Sequence, residues 1–178
     1  MRKEIRIAGF GGQGIGLAGY ILGKALALYD RLDAVMTQSY GPEARGGASS
    51  SSIVLSDRAI AYPFVERPDY LIAMSQEAYN KFYMTLRPGG LLIIDPDLVS
   101  PADESNTLSI RATHIAEKLG VRIVANMVIL GFFAKKSEIV SLNSLNKAVE
   151  TTVRPNTLTI NLKAVVSGYE YATAGESI

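Results

Sequence analysis

The fold of this chain is decided near its amino terminus, by the stretch Ile5-Arg6-Ile7-Ala8-Gly9-Phe10-Gly11-Gly12-Gln13-Gly14. Its first four residues alternate in the way of a strand, and its last six satisfy the pattern G-x-G-x-x-G. The residues that follow, from Ile15 to about Leu28, place apolar side chains at helical spacing. A strand, a glycine turn and a helix in this order predict the start of a Rossmann-like fold.

Strand patterns recur further along the chain. Ala34–Gln38 predicts a second strand that completes a β-α-β unit. Ser52–Ser56 and Ala59–Tyr62, which flank Asp57-Arg58, predict a hairpin. Two continuous apolar runs are typical of strands buried on both faces of a parallel sheet: Tyr70–Met74 and Leu91–Ile94.

Helical patterns alternate with these strands. One begins at Ser75, a capping residue, and ends at Arg87-Pro88-Gly89-Gly90. The others cover Arg111–Leu119, Leu142–Thr152 and Thr157–Ala172. We therefore predict an α/β fold, a three-layer Rossmann-like domain with a mainly parallel sheet, helices on both faces and an edge hairpin.

The chain has 178 residues, of which 48% are hydrophobic and 20% charged. This is the size and composition of one ordinary globular domain. The sequence shows no internal repeat, low-complexity linker or shift in composition. We therefore predict a single domain over residues 1–178.

Charge and composition argue against several classes of function. The net charge is +1, from 18 basic and 17 acidic residues, so without a basic run no binding to nucleic acid is expected. With no cysteine, the chain has no thiolate ligand for zinc or an iron–sulfur cluster. The amino terminus lacks a signal-peptide pattern, and the most apolar stretch, Val121–Ala134, is too short to span a membrane. These features predict a cytoplasmic protein without membrane contact.

The glycine motif has three interpretations. Its glycines let backbone amides approach a pyrophosphate at a helix N-terminus, as in NAD(P) sites. Such sites usually carry Asp or Glu near the end of the second strand to bind the ribose. Here that strand ends in Thr37-Gln38-Ser39, and Asp33 precedes it. A simple anion contact and a purely structural turn remain open beside nucleotide binding.

Gly16, Gly19 and Gly23 form a stripe of small residues on the first helix. Each costs about 1 kcal/mol of helix stability relative to alanine. The stripe therefore predicts the close approach of another backbone, either from the domain's own sheet or from another subunit.

A constrained loop, Ser39-Tyr40-Gly41-Pro42-Glu43-Ala44-Arg45-Gly46-Gly47, follows the second strand. It lies at the sheet edge where open α/β folds bind ligands, and its glycines and proline restrict the backbone path. Arg45 has two open roles. It contacts a phosphate or carboxylate, or it pairs with Glu43 and braces the loop.

Together the two motifs resemble the gamma subunit of the 2-oxoacid:ferredoxin oxidoreductases. The matching segments are Gly9–Gly14, the most specific segment Gln38–Gly47, and then Pro68–Tyr79, Gly89–Asp95 and Ala125–Gly131. The resemblance spans nearly the whole chain, from Ile5 to about Val149. The form Thr37–Arg45 is most similar to the 2-oxoglutarate branch of the family.

This resemblance implies a subunit of an enzyme that converts a 2-oxoacid and CoA into acyl-CoA and CO2, with ferredoxin as the electron acceptor. The chain lacks cysteine and the Gly-Asp-Gly…Asn-Asn pattern of thiamine sites. Thiamine diphosphate, Mg2+ and iron–sulfur clusters are therefore expected in alpha and beta subunits and, where present, a ferredoxin-like delta subunit. No cofactor and no activity are expected of this chain alone.

By the same resemblance, the chain carries no catalytic residue and no metal ligand. Its expected role lies at the junction with the thiamine-bearing subunits, on the approach used by CoA. The residues expected to contact a ligand or the subunit junction are Gly11, Gly12, Gln13, Gly14, Tyr40, Gly41, Pro42, Glu43, Arg45, Gly46 and Gly47.

Several alternatives remain open. The first is the gamma subunit of a pyruvate, branched-chain 2-oxoacid or indolepyruvate enzyme. The second is a free-standing NAD(P)-binding oxidoreductase, and the third is a non-catalytic scaffold or regulatory domain. Other polar residues are given structural roles: the single His114 is expected to be exposed, and Asp95 to form a turn. Ser49–Ser52 lacks the partnered His and Asp of a serine hydrolase.

Overall fold

A computed structural model describes residues 1–40 and 48–174. Its strands are β1 (Arg2–Phe10), β2 (Asp33–Ser39), β3 (Ala48–Ser56), β4 (Tyr70–Ala73), β5 (Leu91–Ile94) and β6 (Thr107–Ser109). Its α-helices are α1 (Ile15–Lys24), α2 (Gln76–Phe82), α3 (Ala112–Lys118), α4 (Ala125–Ser137), α5 (Leu142–Glu150) and α6 (Pro155–Ala174). A π-helical turn, Ala25–Tyr29, extends α1, and two 3-10 turns cover Tyr83–Thr85 and Arg122–Val124.

The strands form one six-stranded sheet in the order β2-β3-β1-β4-β5-β6. β4 is parallel to β1, β5 to β4 and β6 to β5. Only β3 runs the other way, antiparallel to β1 and to β2, with Ile53 paired to Ile5 and to Met36. The predicted mainly parallel sheet is confirmed, and β1-α1-β2 forms the predicted unit with β3 inserted between its strands.

The predicted hairpin between Ser52–Ser56 and Ala59–Tyr62 is wrong. Ser52–Ser56 belongs to β3, which is hydrogen-bonded to β1 on one side and to β2 on the other. Both edges of β3 are therefore occupied, and Ala59–Tyr62 has no free edge beside it to pair with. The antiparallel edge of the sheet is instead the β2–β3 pair.

Helices cover both faces of the sheet, as predicted. One face packs Ile7, Ile53 and Ile72 against α1, α3, α4, α5 and α6. The opposite face packs Leu71, Ala73 and Leu92 against Tyr79 of α2. Since β1 leads into α1 and β4 leads into α2, the chain leaves these adjacent strands toward opposite faces. The carboxyl ends of β1 and β4 thus form the switch point at which open α/β sheets usually bind ligands.

Helix α4 is buried on every side from Ala125 to Ala134. It accounts for most of the apolar stretch noted in the sequence, which serves the core. α4 crosses α6 with backbone against backbone, because a Cβ on Gly131 would lie 1.9 Å from the Val165 carbonyl oxygen, and one on Gly168 would lie 1.9 Å from that of Val128. Within residues 1–40 and 48–174, no helix is long and apolar enough to cross a membrane.

Candidate functional site

The glycine turn after β1 is braced by the side chain of Gln13. Its Oε1 accepts a hydrogen bond from the Phe10 amide at 2.7 Å, and its Nε2 donates to the Met74 carbonyl at 2.7 Å. This side chain therefore links the ends of β1 and β4 across the switch point. A Cβ on Gly9 would lie 2.4 Å from Gln13 Oε1, so the first glycine of the motif makes room for this brace.

Gly14, the last glycine of the motif, is held by Asn126 of α4. Gly14 has a φ of 73°, in the left-handed region that favours glycine. Asn126 Nδ2 donates to the Gly14 carbonyl at 3.2 Å, and Oδ1 accepts from the Met127 amide at 2.8 Å. A Cβ on Gly14 would lie 2.3 Å from Asn126 Nδ2. Two of the motif's glycines thus serve internal packing.

Gly11 and Gly12 differ from their neighbours. Gly12 needs glycine for its φ of 97°, whereas Gly11 has no such φ. Among the described residues, nothing lies within 4 Å of a Cβ built at either position. Gly11 therefore has neither a conformational nor an internal packing reason to be glycine, and its backbone is open to a group from outside this part of the chain.

The turn adjoins Tyr40, where the second motif begins. Gly11, Gly12 and Gly14 line a cavity of about 280 Å³ together with Tyr40 and Gln38. The Tyr40 side chain is 74% exposed, and its hydroxyl donates to Gln38 Oε1. The structure thus brings together the described part of both predicted motifs. The remaining predicted contacts lie outside the described residues: Gly41, Pro42, Glu43, Arg45, Gly46 and Gly47.

The small-residue stripe of α1 faces the domain's own sheet. A Cβ on Gly19 would lie 2.4 Å from Ser51 Cβ of β3, and one on Gly16 would lie 3.2 Å from Gln38 Nε2 of β2. Of the two predicted partners, the sheet is correct, but the expectation of a facing backbone is wrong because side chains meet these glycines. The backbone approach occurs between Gly131 and Gly168 instead.

Other polar residues have structural roles. Asp95 is buried and accepts hydrogen bonds from the amides of Asp97 at 3.0 Å and Thr113 at 2.7 Å, so it forms the predicted turn and also holds the start of α3. His114 is exposed, as predicted. Within the described parts of the chain, no group of three or more His, Asp or Glu side chains is placed to hold a metal ion.

Residues 4–171 match the family model of pyruvate ferredoxin/flavodoxin oxidoreductase. This chain belongs to that family. The resemblance noted in the two sequence motifs is thereby confirmed, and it extends over most of the chain.

Members of the oxidoreductase family resemble the chain over nearly its full length. It is 50% identical over 177 residues to the 2-oxoglutarate synthase subunit KorC of Methanocaldococcus jannaschii, covering 97% of this chain and 95% of that one. The KorC subunit of Methanothermobacter marburgensis is 49% identical, with 99% of this chain and 100% of that one covered. The crystal structure of a keto/oxoacid ferredoxin oxidoreductase gamma subunit from Geobacter sulfurreducens superimposes with a TM-score of 0.89 at 39% identity, covering 99% of both chains.

Two features of this oxidoreductase family member were not predicted from its sequence. One is the Gln13 brace, since a glutamine inside a glycine motif has no sequence pattern that reveals its partner. The other is the reach of Asn126 from the start of α4 to the Gly14 carbonyl. A buried amide near the start of an apolar helix is the one signal that points to it, because buried polar groups require hydrogen-bond partners.

Proposed function

We propose that this chain is the gamma subunit of a 2-oxoglutarate:ferredoxin oxidoreductase. The enzyme oxidatively decarboxylates 2-oxoglutarate, transfers the acyl group to CoA and passes the electrons to ferredoxin. The observation that carries this proposal is the identity of about half of all residues with 2-oxoglutarate synthase KorC subunits over almost the full chain. We further propose one gamma-type domain over residues 1–178, in agreement with the family match over residues 4–171.

The chemistry of this reaction is assigned to partner subunits. Thiamine diphosphate with Mg2+ would supply the carbanion chemistry, and iron–sulfur clusters would carry the electrons. This chain does not fit either group, because it has no cysteine and no Gly-Asp-Gly…Asn-Asn pattern. We place these groups in alpha and beta subunits and a ferredoxin-like delta subunit, and the whole enzyme in the cytoplasm, where CoA, the 2-oxoacid and ferredoxin meet.

The role that we propose for this chain is to present a rigid glycine turn at the subunit junction. Gln13 and Asn126 hold the turn from both ends, and Gly11 and Tyr40 border the same open cavity. This arrangement supports a contact with a partner subunit or with CoA through Gly11, Gly12, Gln13, Gly14 and Tyr40. We extend the proposal to Gly41, Pro42, Glu43, Arg45, Gly46 and Gly47 because they continue the chain from Tyr40.

Arg45 offers a direct test of the junction. A CoA contact predicts that Arg45→Ala leaves the complex assembled and weakens apparent CoA binding by about 1.5–3 kcal/mol, the range for a charged hydrogen bond. Arg45→Lys keeps the charge but loses the bidentate geometry. If Arg45 only braces the loop, Glu43→Ala should weaken the complex as much as Arg45→Ala does. The double variant should then weaken it little more than either single variant. An assembled Arg45→Ala complex with unchanged CoA kinetics would reject the contact.

The function is tested on the complex purified through a tag on this chain. Ferredoxin reduction is measured with CoA and, separately, 2-oxoglutarate, pyruvate, a branched-chain 2-oxoacid and indolepyruvate. We expect thiamine- and cluster-binding chains to co-purify and kcat/KM to be highest for 2-oxoglutarate. A higher kcat/KM for another oxoacid would reassign the substrate, and a chain that co-purifies with neither kind of partner would refute the subunit role.

A further inference from the structure

Two cavities flank Ile123, in the 3-10 turn before α4. The first, of about 340 Å³, lies at the switch point and is lined by Met74, Leu98 and Ile123. The second, of about 370 Å³, lies between the starts of α1 and α6 and is lined by Leu17, Val153, Ile160 and again Ile123. We name the two cavities and the ridge between them the Ile123 groove.

The ridge of the Ile123 groove is apolar and exposed. Ile123 is 53% exposed, and Leu17 and Val121 are each 39% exposed. These three side chains border the same cavity, so they form one contiguous surface beside Gly14. Contiguous exposed apolar surface of this kind marks an interaction site in folded proteins.

The charge of the Ile123 groove has one sign. Arg122 lines the first cavity and Arg154 the second, whereas no Asp or Glu is among the described residues that line either cavity. The nearest ion pair is between Arg122 and Glu117, at 3.6 Å, with side chains 68% and 51% exposed. A long, exposed pair of this kind contributes little, so Arg122 can exchange Glu117 for an incoming carboxylate.

We infer that the Ile123 groove is the docking site for a segment of a partner subunit that presents apolar side chains flanked by carboxylates. The apolar side chains would enter the two cavities on either side of Ile123, and the carboxylates would meet Arg122 and Arg154. A small ligand could fill one cavity but would leave the ridge exposed, which favours a polypeptide. The inference rests on the proposed function, because it requires a partner subunit.

Cross-linking tests the position of the groove. A photoreactive p-benzoylphenylalanine replaces Ile123 in the complex purified through a tag on this chain, and cross-linked peptides are identified by mass spectrometry. The matched control is the same replacement at Leu28, which is 63% exposed and lies in the π-helical turn that follows α1, whereas Leu17 of the groove lies near the start of α1. We expect Ile123 to label a partner-subunit peptide that contains apolar and acidic residues, and Leu28 not to label that peptide. No label from Ile123, or a label on a basic peptide, would overturn the inference.

Charge reversal tests the chemistry of the partner. We expect Arg122→Glu together with Arg154→Glu to weaken the binding of this chain to its partner subunits at least about tenfold, as for charged contacts at an interface core. The control Arg58→Glu changes an exposed arginine that follows the end of β3, and it should leave the binding of this chain unchanged. Unchanged incorporation of the double variant, with thermal unfolding like that of the wild type, would overturn the inference. If the complex assembles through the groove but oxidises another substrate, only the proposed function fails.

Discussion

Within the glycine turn, Gly11 and Gly14 differ in what surrounds them, and alanine separates the two roles. Gly14→Ala places a Cβ 2.3 Å from buried Asn126 at a φ of 73°. We expect it to lower the free energy of unfolding by about 1–3 kcal/mol, because left-handed backbone and overpacking both carry a cost. Urea denaturation of the isolated chain measures this change.

Gly11→Ala is the matched control for stability and the test for the junction. The new Cβ meets no described atom within 4 Å, so the free energy of unfolding should stay within about 0.5 kcal/mol of the wild type. Incorporation into the complex should fall, because the methyl group occupies the space that an outside group needs. A stable Gly11→Ala chain that assembles normally would show that Gly11 makes no contact at the junction.

Asp69 makes the stability of the chain depend on pH. It is buried and accepts hydrogen bonds from the Glu4 amide at 2.8 Å, Arg87 at 2.5 Å and Lys3 at 3.2 Å. Burial raises the pKa of the Asp69 carboxyl, but these three donors together outweigh burial and lower that pKa below its ordinary value. The folded chain therefore binds this proton less readily than the unfolded chain does.

The stability that Asp69 contributes is present above the ordinary aspartate pKa of about 3.9, and it is lost as the pH falls through the lowered value. We expect Asp69→Asn to lower the melting temperature at neutral pH, and we expect the difference from the wild type to shrink as the pH falls through that lowered value. Arg87→Met removes one donor, so its melting temperature should depend on pH less than that of the wild type and more than that of Asp69→Asn. If the melting temperatures of the wild type and Asp69→Asn differ by the same amount at every pH from neutral to acid, the assignment is contradicted.

At the scale of elements, the crossing of α4 and α6 depends on two glycines. Gly131→Ala would put a Cβ 1.9 Å from the Val165 carbonyl oxygen, so the helices must separate. We expect a loss of about 3 kcal/mol in the free energy of unfolding, the upper range for overpacking. In Gly23→Ala of α1 the new Cβ lies 3.8 Å from Met36 Cβ, and helix propensity should add up to about 1 kcal/mol. Equal denaturation midpoints for the two variants would argue against this crossing.

The predicted elements show where sequence patterns suffice. Local signals predict β1, β4, β5 and all the α-helices except α4, which the sequence showed only as an apolar stretch. Ser75 caps α2 as expected by accepting from the Ala78 amide at 3.2 Å. β3 was recognised only from Ser52 onward because Ser49–Ser51 is polar. In the structure these serines are buried or half-buried, and the hydroxyls of Ser49 and Ser51 donate to the carbonyls of Gly9 and Ile15. The strand order depends on such long-range contacts, which no local pattern contains.

The candidate site was predictable in part for the same reason. The glycine motif and Tyr40 are local in sequence, and the structure places them beside one cavity. Asn126 and Ile123 lie more than a hundred residues after the glycine motif. Their place beside Gly14 follows from the packing of α4 against α1, so a sequence pattern could not assign them to the site.

At the scale of the whole molecule, the chain is expected to need its partners. The isolated protein should be colourless and should reduce no acceptor with any 2-oxoacid, because it lacks cluster ligands and a thiamine pattern. Calorimetry should detect no micromolar site for NAD, NADP or thiamine diphosphate, an affinity that would correspond to about 8 kcal/mol. Adding the purified partner subunits should restore turnover. Turnover by the single chain, or a micromolar nicotinamide site, would favour the alternative of a free-standing NAD(P)-binding oxidoreductase.

The burial of α4 has a consequence for the synthesis of the protein on the ribosome. α6, which closes over α4, has 20 residues and is the last described element to leave the ribosome. At about 5–20 residues per second, its synthesis takes about 1–4 s. Until α6 has been made and has left the ribosome, the apolar surface of Ala125–Ala134 has no cover from that helix. A released chain that ends before Pro155 therefore exposes the apolar surface of α4 to solvent, and it cannot complete its core.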